Sequence, residues 1–404
     1  MRGIGKIPPG WKVLPLKTFL RPRSESDEEE LPLLSVYRDH GVVPFGSIEG
    51  NHNKPSLDLS TYKVVRAGDL VLNKMKTWQG SLAISGYEGL VSPAYVVCRV
   101  GGAWDKRYLH YLVRSPSYVA EYASLSYGVR VGQWDMRFED FRDVLALQPP
   151  IEDQRRIADH LDTETARIDT LIDRKQGFID LLVEKRTALI THAVTKGLDP
   201  SVEMKDSGMA TLGEIPAHYH VCPFGKVASL QRGFDLPADS REPGPYPVVS
   251  SGGIVDHHAV GPVQPPGVVT GRYGSVGSVY WIEEAYWPHN TALYVRDYWG
   301  NNPRFVFWLL LSMAANITAA ESGKSAVPGL DQKDTRGIRV ARPPLVEQER
   351  IAEYVDAETS RLDVLINKTR HSNTLLREYR TALISAAVTG QIAIPGAEAA
   401  EDVA

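Results

Sequence analysis

Apolar residues recur at seven-residue intervals in two stretches of the chain that lie 194 positions apart. This spacing predicts helices with an apolar seam of the coiled-coil type. The first column of the seam consists of Leu161, Ile168, Leu182 and Leu189 in one stretch, and of Val355, Leu362, Leu376 and Leu383 in the other. A second column is expected to start with Ile157 and Leu171 in one stretch, and with Ile351 and Leu365 in the other.

Each stretch predicts one long helix, because no proline interrupts about 45 residues after Pro150 or after Pro344. At 1.5 Å per residue, such a helix would be roughly 65 Å long. Lys175 and Thr369 interrupt the first column at the same place, and a polar residue in a seam can fix the register. The simplest arrangement is an antiparallel or splayed coiled coil of the two helices. The alternative, in which each helix lies only on its own domain, stays open.

The two stretches are copies of each other. Residues 149–195 align with 343–389 without a gap, and 24 of the 47 positions are identical, far above chance. A shorter repeat relates GKIPPGWKVLPL at 5–16 to GEIPAHYHVCPF at 213–224. Each half of the chain therefore opens with the same short lead-in and closes with the same long helix.

The sequence between lead-in and helix differs in the two halves, and we call these two segments the inserts, 11–148 and 219–342. Both predict mixed α/β structure with short strands broken by glycine turns. The predicted fold class is α+β, with two α/β domains separated by two repeated helices packed as an antiparallel coiled coil with pseudo-two-fold symmetry. The predicted segments are a first domain at 1–148, a first helix at 149–199, a linker and second domain at 200–342, a second helix at 343–394, and a disordered tail at 395–404.

Composition is that of an ordinary globular protein, with 43% hydrophobic and 23% charged residues. Cys98 and Cys222 lie far apart, which argues against a disulfide framework or a cysteine-rich zinc site. The cysteine usage favours a reduced, cytoplasmic setting. No apolar run is long enough to span a membrane, so we expect no membrane partner. The net charge of −4 weakly disfavours a generic nucleic-acid binder.

No arrangement of residues in the sequence predicts catalysis or a metal site. ESGKS at 321–325 lacks the first glycine of a phosphate-binding loop, because Thr318 stands at that position. NNPRF at 301–305 resembles an adenine methyltransferase signature, but Arg304 replaces its second proline. His257 and His258 are adjacent, which is a poor spacing for two ligands of one metal.

Loops in both inserts interleave basic and aromatic residues, which favours contact with DNA. Arg130 and Lys324 lie at the same distance, 19 residues, before the proline pair of each helix, which suggests phosphate contacts. An ordinary role as surface charges stays open. The candidate DNA-binding residues are Lys74, Lys76, Trp78, Gln79, Arg130, Gln133, Arg272, Tyr273, Lys324 and Ser325.

The sequence resembles the specificity subunits of Type I restriction-modification systems over nearly its whole length. The resemblance rests on the PPxxxQxRIA blocks at 149–158 and 343–352, the RTALI and AVT ends of both helices, and the two lead-ins. GDLVLNKM and GLVSPAY in the first insert, with PHNTALYV and SGKSAVPGL in the second, also look like target-recognition domains of that family. Asp153 stands where many relatives have glutamate.

The resemblance implies a non-catalytic subunit that reads double-stranded DNA. In that family two target-recognition domains read two half-sites around a fixed spacer. The repeated helices dock two modification methyltransferase subunits, which methylate adenine and carry S-adenosylmethionine. Restriction subunits that use ATP and Mg²⁺ can join, and the chain itself holds no cofactor.

Two alternatives stay open at this point. One is a duplicated coiled-coil scaffold whose inserts bind protein, and the other is an enzyme with a site in one insert. The sequence does not give the bases recognised, the spacer length, the presence of restriction subunits, or the loops that enter each groove.

Overall fold

The computed structural model describes residues 7–26, 30–48, 56, 58–128, 134–271, 278–321 and 332–394, with the backbone alone at 314–321 and 332–334. The chain divides into two compact units. Unit 1 comprises Met1–Lys175 and His371–Ala404, and unit 2 comprises Gln176–Arg370. The predicted segment boundaries do not coincide with these units and stay predictions.

The first insert is mixed α/β and leads directly into a long helix. Its elements are β1 (Lys12–Pro15), β2 (Leu20–Pro22), β3 (Leu34–Tyr37), β4 (Gly41–Pro44), β5 (Lys63–Val65), β6 (Leu70–Asn73), β7 (Leu82–Ile84), β8 (Gly89–Val91), β9 (Tyr95–Val100), α1 (Lys106–Arg114), α2 (Pro116–Leu125), α3 (Phe138–Asp143), β10 (Leu145–Gln148) and the long helix α4 (Ile151–Lys196). Asp105 begins α1 by accepting hydrogen bonds from the backbone N–H groups of Arg107 and Tyr108.

The second insert follows the same plan. Two strands come before it, β11 (Met204–Asp206) and β12 (Glu214–Pro216). Its own elements are β13 (His220–Pro223), β14 (Ser229–Arg232), β15 (Tyr246–Ser250), β16 (Gly253–His258), β17 (Gly267–Gly271), β18 (Val279–Ile282), β19 (Trp287–Pro288), β20 (Ala292–Asp297), α5 (Pro303–Glu321), α6 (Gln332–Gly337) and β21 (Arg339–Arg342), and it leads into the long helix α7 (Leu345–Val388).

The repeated lead-in closes each insert by pairing with the strand that precedes the proline pair. β1 runs antiparallel to β10, with Lys12 opposite Gln148, and β13 runs antiparallel to β21, with His220 opposite Arg342. The two ladders have the same register. The lead-in therefore brings the start and the end of each insert together at the base of a long helix.

The two inserts also share a central sheet that their sequences do not reveal. In the first insert the four strands lie in the order β2-β9-β6-β7, and in the second in the order β14-β20-β17-β18. All pairs in both sheets are antiparallel. The duplication thus extends through the inserts, although little sequence identity remains there.

The inserts differ in the strands around this shared sheet. The first insert adds the pairs β3-β4 and β5-β8, whereas the second adds the three-stranded sheet β16-β15-β19. A further pair, β11-β12, joins the linker to the start of the second lead-in. The frame is therefore repeated, while the peripheral strands are particular to each insert.

The long helices pack on each other in antiparallel directions. In unit 1 the start of α4 shares one apolar core with the end of α7, through Leu161 and Val388. In unit 2 the end of α4 shares a core with the start of α7, through Val194 and Val355. The α+β fold class with paired repeated helices is confirmed.

Candidate functional site

Equivalent ion pairs fix the register of the helix pair in both units. In unit 1 the Arg380 Nε atom lies 2.9 Å from Asp169 Oδ1, and in unit 2 the Arg186 Nε atom lies 2.9 Å from Asp363 Oδ1. Arg186 and Arg380 are the same position of the repeat, as are Asp169 and Asp363. Each copy of the helix thus supplies one arginine and one aspartate to the other copy.

All eight residues of the predicted first column are buried or partly buried in the structure. Leu161 and Val355 are fully buried, Leu189 and Leu376 are partly buried, and the other four members are buried. Seven-residue spacing therefore identified the face along which the helices meet.

The second column of the prediction is wrong at Leu171 and Leu365, which are 42% and 40% exposed. The next residue in each copy, Ile172 or Ile366, is buried instead. The seam alternates steps of three and four residues, as in a heptad pattern. Its second column consists of Thr165, Ile172, Ile179, Arg186 and Ala193 in α4, and of Thr359, Ile366, Asn373, Arg380 and Ala387 in α7.

A buried glutamine of each long helix holds the helix of the adjoining insert. Gln154 Oε1 accepts from the Asp105 backbone N–H at 2.9 Å, and Gln154 Nε2 donates to the Pro149 carbonyl at 2.9 Å. In unit 2, Gln348 Oε1 accepts from the Asn302 N–H at 2.9 Å, and Gln348 Nε2 donates to the Pro343 carbonyl. The glutamine of the PPxxxQ block therefore joins the base of α4 to α1, and the base of α7 to α5.

Two turns further along α4, an aspartate receives two side-chain hydrogen bonds from the first insert. Asp162 Oδ2 accepts from Arg107 Nη1 at 2.9 Å, and Asp162 Oδ1 accepts from the Tyr111 hydroxyl at 2.8 Å. Asp159 also accepts from Arg107, at 2.7 Å. Burial raises the pKa of the Tyr111 hydroxyl to about 12, so this group stays a donor at neutral pH.

The same cluster recurs in unit 2 at the equivalent position of α7. Asp356 accepts from Arg304 Nε at 2.8 Å and from the Trp308 indole N–H at 2.8 Å. The Arg304 guanidinium also lies over the rings of Trp281, Phe307 and Trp308, at 4.7 to 5.2 Å from their centroids. Arginine and aromatic donor are four residues apart in both inserts, so they lie on one face of the insert helix.

Four of the candidate DNA-binding residues lie in one loop after β6. Lys76 and Gln79 are exposed, whereas Lys74 and Trp78 are partly buried. The Trp78 indole N–H donates to the Met75 carbonyl at 3.0 Å, and its ring lies 5.0 Å from the ring of Trp134. The loop is thus an ordered segment that exposes a cation and an amide, next to the 59% exposed side chain of Met75.

The other six candidates lie outside the described residues. They are Arg130, Gln133, Arg272, Tyr273, Lys324 and Ser325. Their assignment to DNA binding stays a prediction.

The outer faces of the long helices expose leucines at repeated positions. Leu171 is equivalent to Leu365, and Leu181 is equivalent to Leu375. Leu181 is 64% exposed and Leu375 is 50% exposed. Each unit carries one member of each pair, so each exposes a similar apolar element.

Residues 221–372 match the family described as Type I restriction modification DNA specificity domain. This segment is therefore similar to a Type I restriction-modification DNA specificity domain. The match covers most of the second insert and more than half of α7, so the resemblance seen in the sequence is confirmed.

The fold of the whole chain agrees with this assignment. A chain from a study entitled "Structural basis underlying complex assembly and conformational transition of the type I R-M system" is similar over 96% of this chain and 100% of that one, with a TM-score of 0.75 and 16% identity. The HsdS subunit from Thermoanaerobacter tengcongensis is similar over 96% and 99%, with a TM-score of 0.53 and 17% identity. The similarity in fold therefore extends beyond the matched specificity domain to both halves.

The sequence alone did not reveal the residues that join each insert to its long helix. The signal was present as a third repeat, because RYLHYLV at 107–113 aligns with RFVFWLL at 304–310. In the sequence, Arg304 stands out only as a departure from a methyltransferase signature. Its role in the structure is to bind Asp356.

The described part of the chain contains no group of three His, Cys, Asp or Glu residues that could hold a metal ion. Burial raises the pKa of the Cys98 thiol to about 12, which disfavours the reactive thiolate at neutral pH. Among the described residues, no helix has the length and apolar character needed to cross a membrane.

Proposed function

We propose that the chain is the non-catalytic subunit that gives a Type I restriction-modification enzyme its DNA sequence specificity. The observation that carries the proposal is a repeated frame around two different inserts, one of which matches the DNA specificity domain. A frame built twice performs one task twice, whereas inserts with the same central sheet and different peripheral strands perform related but different tasks. Reading two unlike half-sites of one DNA target fits this pattern.

In this proposal each insert reads one half-site, and the helix pair sets the spacer between the half-sites. The loop after β6 supports the proposal for the first insert, since Lys76 and Gln79 are exposed there. A lysine suits a phosphate, and a glutamine amide can pair with adenine in the major groove. The continuous helices α4 and α7 support a fixed spacer, because ion-paired helices resist sliding.

The same helices would dock two modification methyltransferase subunits, one for each copy of the repeat. The repeated exposed leucines support this, because one partner surface could bind the same apolar element twice. S-adenosylmethionine would be held by these partners, and ATP with Mg²⁺ by restriction subunits where they join. Only the partners would carry catalytic groups.

The test is co-expression of the chain with its modification subunit, followed by mapping of methylated adenines across a genome. We expect one bipartite motif with two fixed half-sites and a spacer of constant length. Replacement of residues 11–148 by the first insert of a related subunit should change one half-site only. Methylation by the purified chain alone would contradict the proposal, and so would a change of both half-sites after the replacement.

Insertion of four residues after Lys175 tests the role of the helix pair. The insertion lengthens α4 by about 6 Å and rotates it by about 40° beyond one full turn. Coiled coils absorb a four-residue insertion by local unwinding. We expect the spacer to grow by one or two base pairs, since one base pair rises about 3.4 Å. An unchanged spacer would show that the helices do not set it.

A titration with salt separates DNA reading from a scaffold that binds protein. If Lys74 and Lys76 contact phosphates, the affinity for DNA should fall steeply as salt rises. Replacement of both lysines by glutamine should reduce the slope of log K against log salt by about two. Weak binding that does not depend on salt would favour the protein scaffold.

A further inference from the structure

A joint connects each insert to its long helix, around Asp162 in unit 1 and Asp356 in unit 2. It consists of directional hydrogen bonds. Each carboxylate accepts hydrogen bonds from two insert side chains that are one helical turn apart. In unit 2 these donors are Arg304 and Trp308, both at 2.8 Å. Charge-assisted hydrogen bonds have narrow preferred geometries. Two of them on one carboxylate restrict rotation of α5 about its own axis.

A second contact restricts the insert helix at its beginning. Gln348 binds the Asn302 N–H directly before α5, and Asp356 binds Arg304 and Trp308 within the first two turns of α5. Eight residues of α7 separate the two contacts, which is about 12 Å along the helix. Two points of attachment define the angle between two helices, whereas one point would allow a swing. Gln154 and Asp162 act in the same way on α1.

We propose that Asp162 and Asp356 are positioning residues that hold each reading domain at one angle on the helix pair, and thereby determine how strictly the complex selects the spacer length. This inference rests on the proposed function. An insert held at two points presents its reading surface at one position along the DNA. An insert held at one point would accept half-sites displaced by a base pair.

The two joints differ in strength, which allows a matched comparison. Arg107 binds both Asp159 and Asp162, so it keeps one carboxylate partner when Asp162 is removed. Arg304 binds Asp356 alone among the ion pairs of the described residues. Loss of Asp356 should therefore free its insert helix more than loss of Asp162 does.

The experiment uses the full chain in complex with its modification subunits. The substrates are DNA duplexes carrying both half-sites with the natural spacer, or with a spacer one base pair shorter or longer. The measurement is kcat/KM for methyl transfer on each duplex. A parallel set with one altered base in a half-site measures base selectivity. Asp356→Ala and Asp162→Ala are compared with Glu353→Ala, which removes an exposed acid one turn before Asp356.

For Asp356→Ala we expect the preference for the natural spacer to fall about tenfold, as loss of about 1.4 kcal/mol of discrimination would give. Asp162→Ala should cause a smaller fall, and Glu353→Ala none. Base selectivity should stay unchanged in all three. Asp356→Asn keeps an acceptor for Trp308 and should recover part of the preference, which a general loss of folding would not.

Three outcomes would overturn the inference. If the wild-type complex shows no selectivity for a bipartite site, both the proposed function and this inference are contradicted. If the wild-type complex is selective and Asp356→Ala has the same spacer preference, this inference is contradicted and the proposed function stands. An equal fall of kcat/KM on every duplex, with Asp356→Asn no better than Asp356→Ala, would show that the joint supports folding and does not position the reader.

Discussion

The most direct consequence of the structure concerns the buried Gln348, whose removal should open the base of the second insert. Gln348 makes three hydrogen bonds of 2.9 Å, to the Asn302 N–H, the Pro343 carbonyl and Asn301 Oδ1. Its side chain is almost fully buried. Gln348→Ala removes all three bonds and leaves the Asn302 and Pro343 backbone groups without this partner.

The expected cost follows from these contacts. Each lost hydrogen bond is worth about 1 kcal/mol, and a buried group left without a partner costs about 1–3 kcal/mol. We therefore expect Gln348→Ala to destabilise the start of α5 by about 3–5 kcal/mol. Gln348→Glu should be at least as harmful, because it replaces the donor that faces the Pro343 carbonyl with a second acceptor.

Hydrogen exchange of the backbone amides at 302–306 is the assay, because it reports local opening of this element. A loss of 3–5 kcal/mol should accelerate exchange there by roughly two to four orders of magnitude. Gln154→Ala should do the same at the start of α1. Gln176→Ala is the control, since Gln176 is exposed and bonds only within its helix. It should change stability by less than about 0.5 kcal/mol.

One result would refute the reasoning. If exchange at 302–306 is as slow in Gln348→Ala as in Gln176→Ala, the glutamine does not hold the insert helix. The repeated PPxxxQ block would then need another explanation.

Three further outcomes are expected. Burial, with a contribution from Arg114, lowers the pKa of His110 to about 4. The stabilising effect of the neutral imidazole is therefore present above its unfolded pKa of about 6.5 and is lost as the pH falls towards 4. His110→Phe should flatten a plot of thermal stability against pH in this range, and an unchanged slope would refute this role of His110. Leu182→Pro should cost more than about 3 kcal/mol and abolish docking of a modification subunit, checked by circular dichroism and by the mass of the complex, with a full complex as the contrary result. Arg186→Asp should weaken the helix pair, and adding Asp363→Arg should restore about 0.5–1 kcal/mol in a double-mutant cycle of urea unfolding, because the pair is partly exposed.

Local and repetitive features of the sequence predicted much of the architecture. The seven-residue spacing of Leu161, Ile168 and their equivalents identified a real seam, because a helix places every seventh residue on nearly the same face. The duplication of 149–195 in 343–389 predicted that one structure occurs twice. The motifs of both halves indicated the resemblance to specificity subunits without any information on the fold.

The limits of periodicity are visible at Leu171 and Ile172. Neighbouring residues on a helix are only about 100° apart, and both are apolar, so spacing alone does not decide which one enters the seam. The partner helix decides it by burying Ile172 and Ile366. The leucines are left on the outer face, where we assign them a role in docking.

Contacts between residues distant in the sequence were decided only by the tertiary structure. The common sheet order of the two inserts is invisible in their sequences, because many apolar residues satisfy the same buried strand position. The joints at Asp162 and Asp356 combine a helix with an insert about 50 residues before it. A single charged residue has no periodicity, so its partner becomes evident only when folding brings Arg107 or Arg304 beside it. The sequence alone determined the repeated frame, and the packing of each insert on its helix determined which residues hold that frame together.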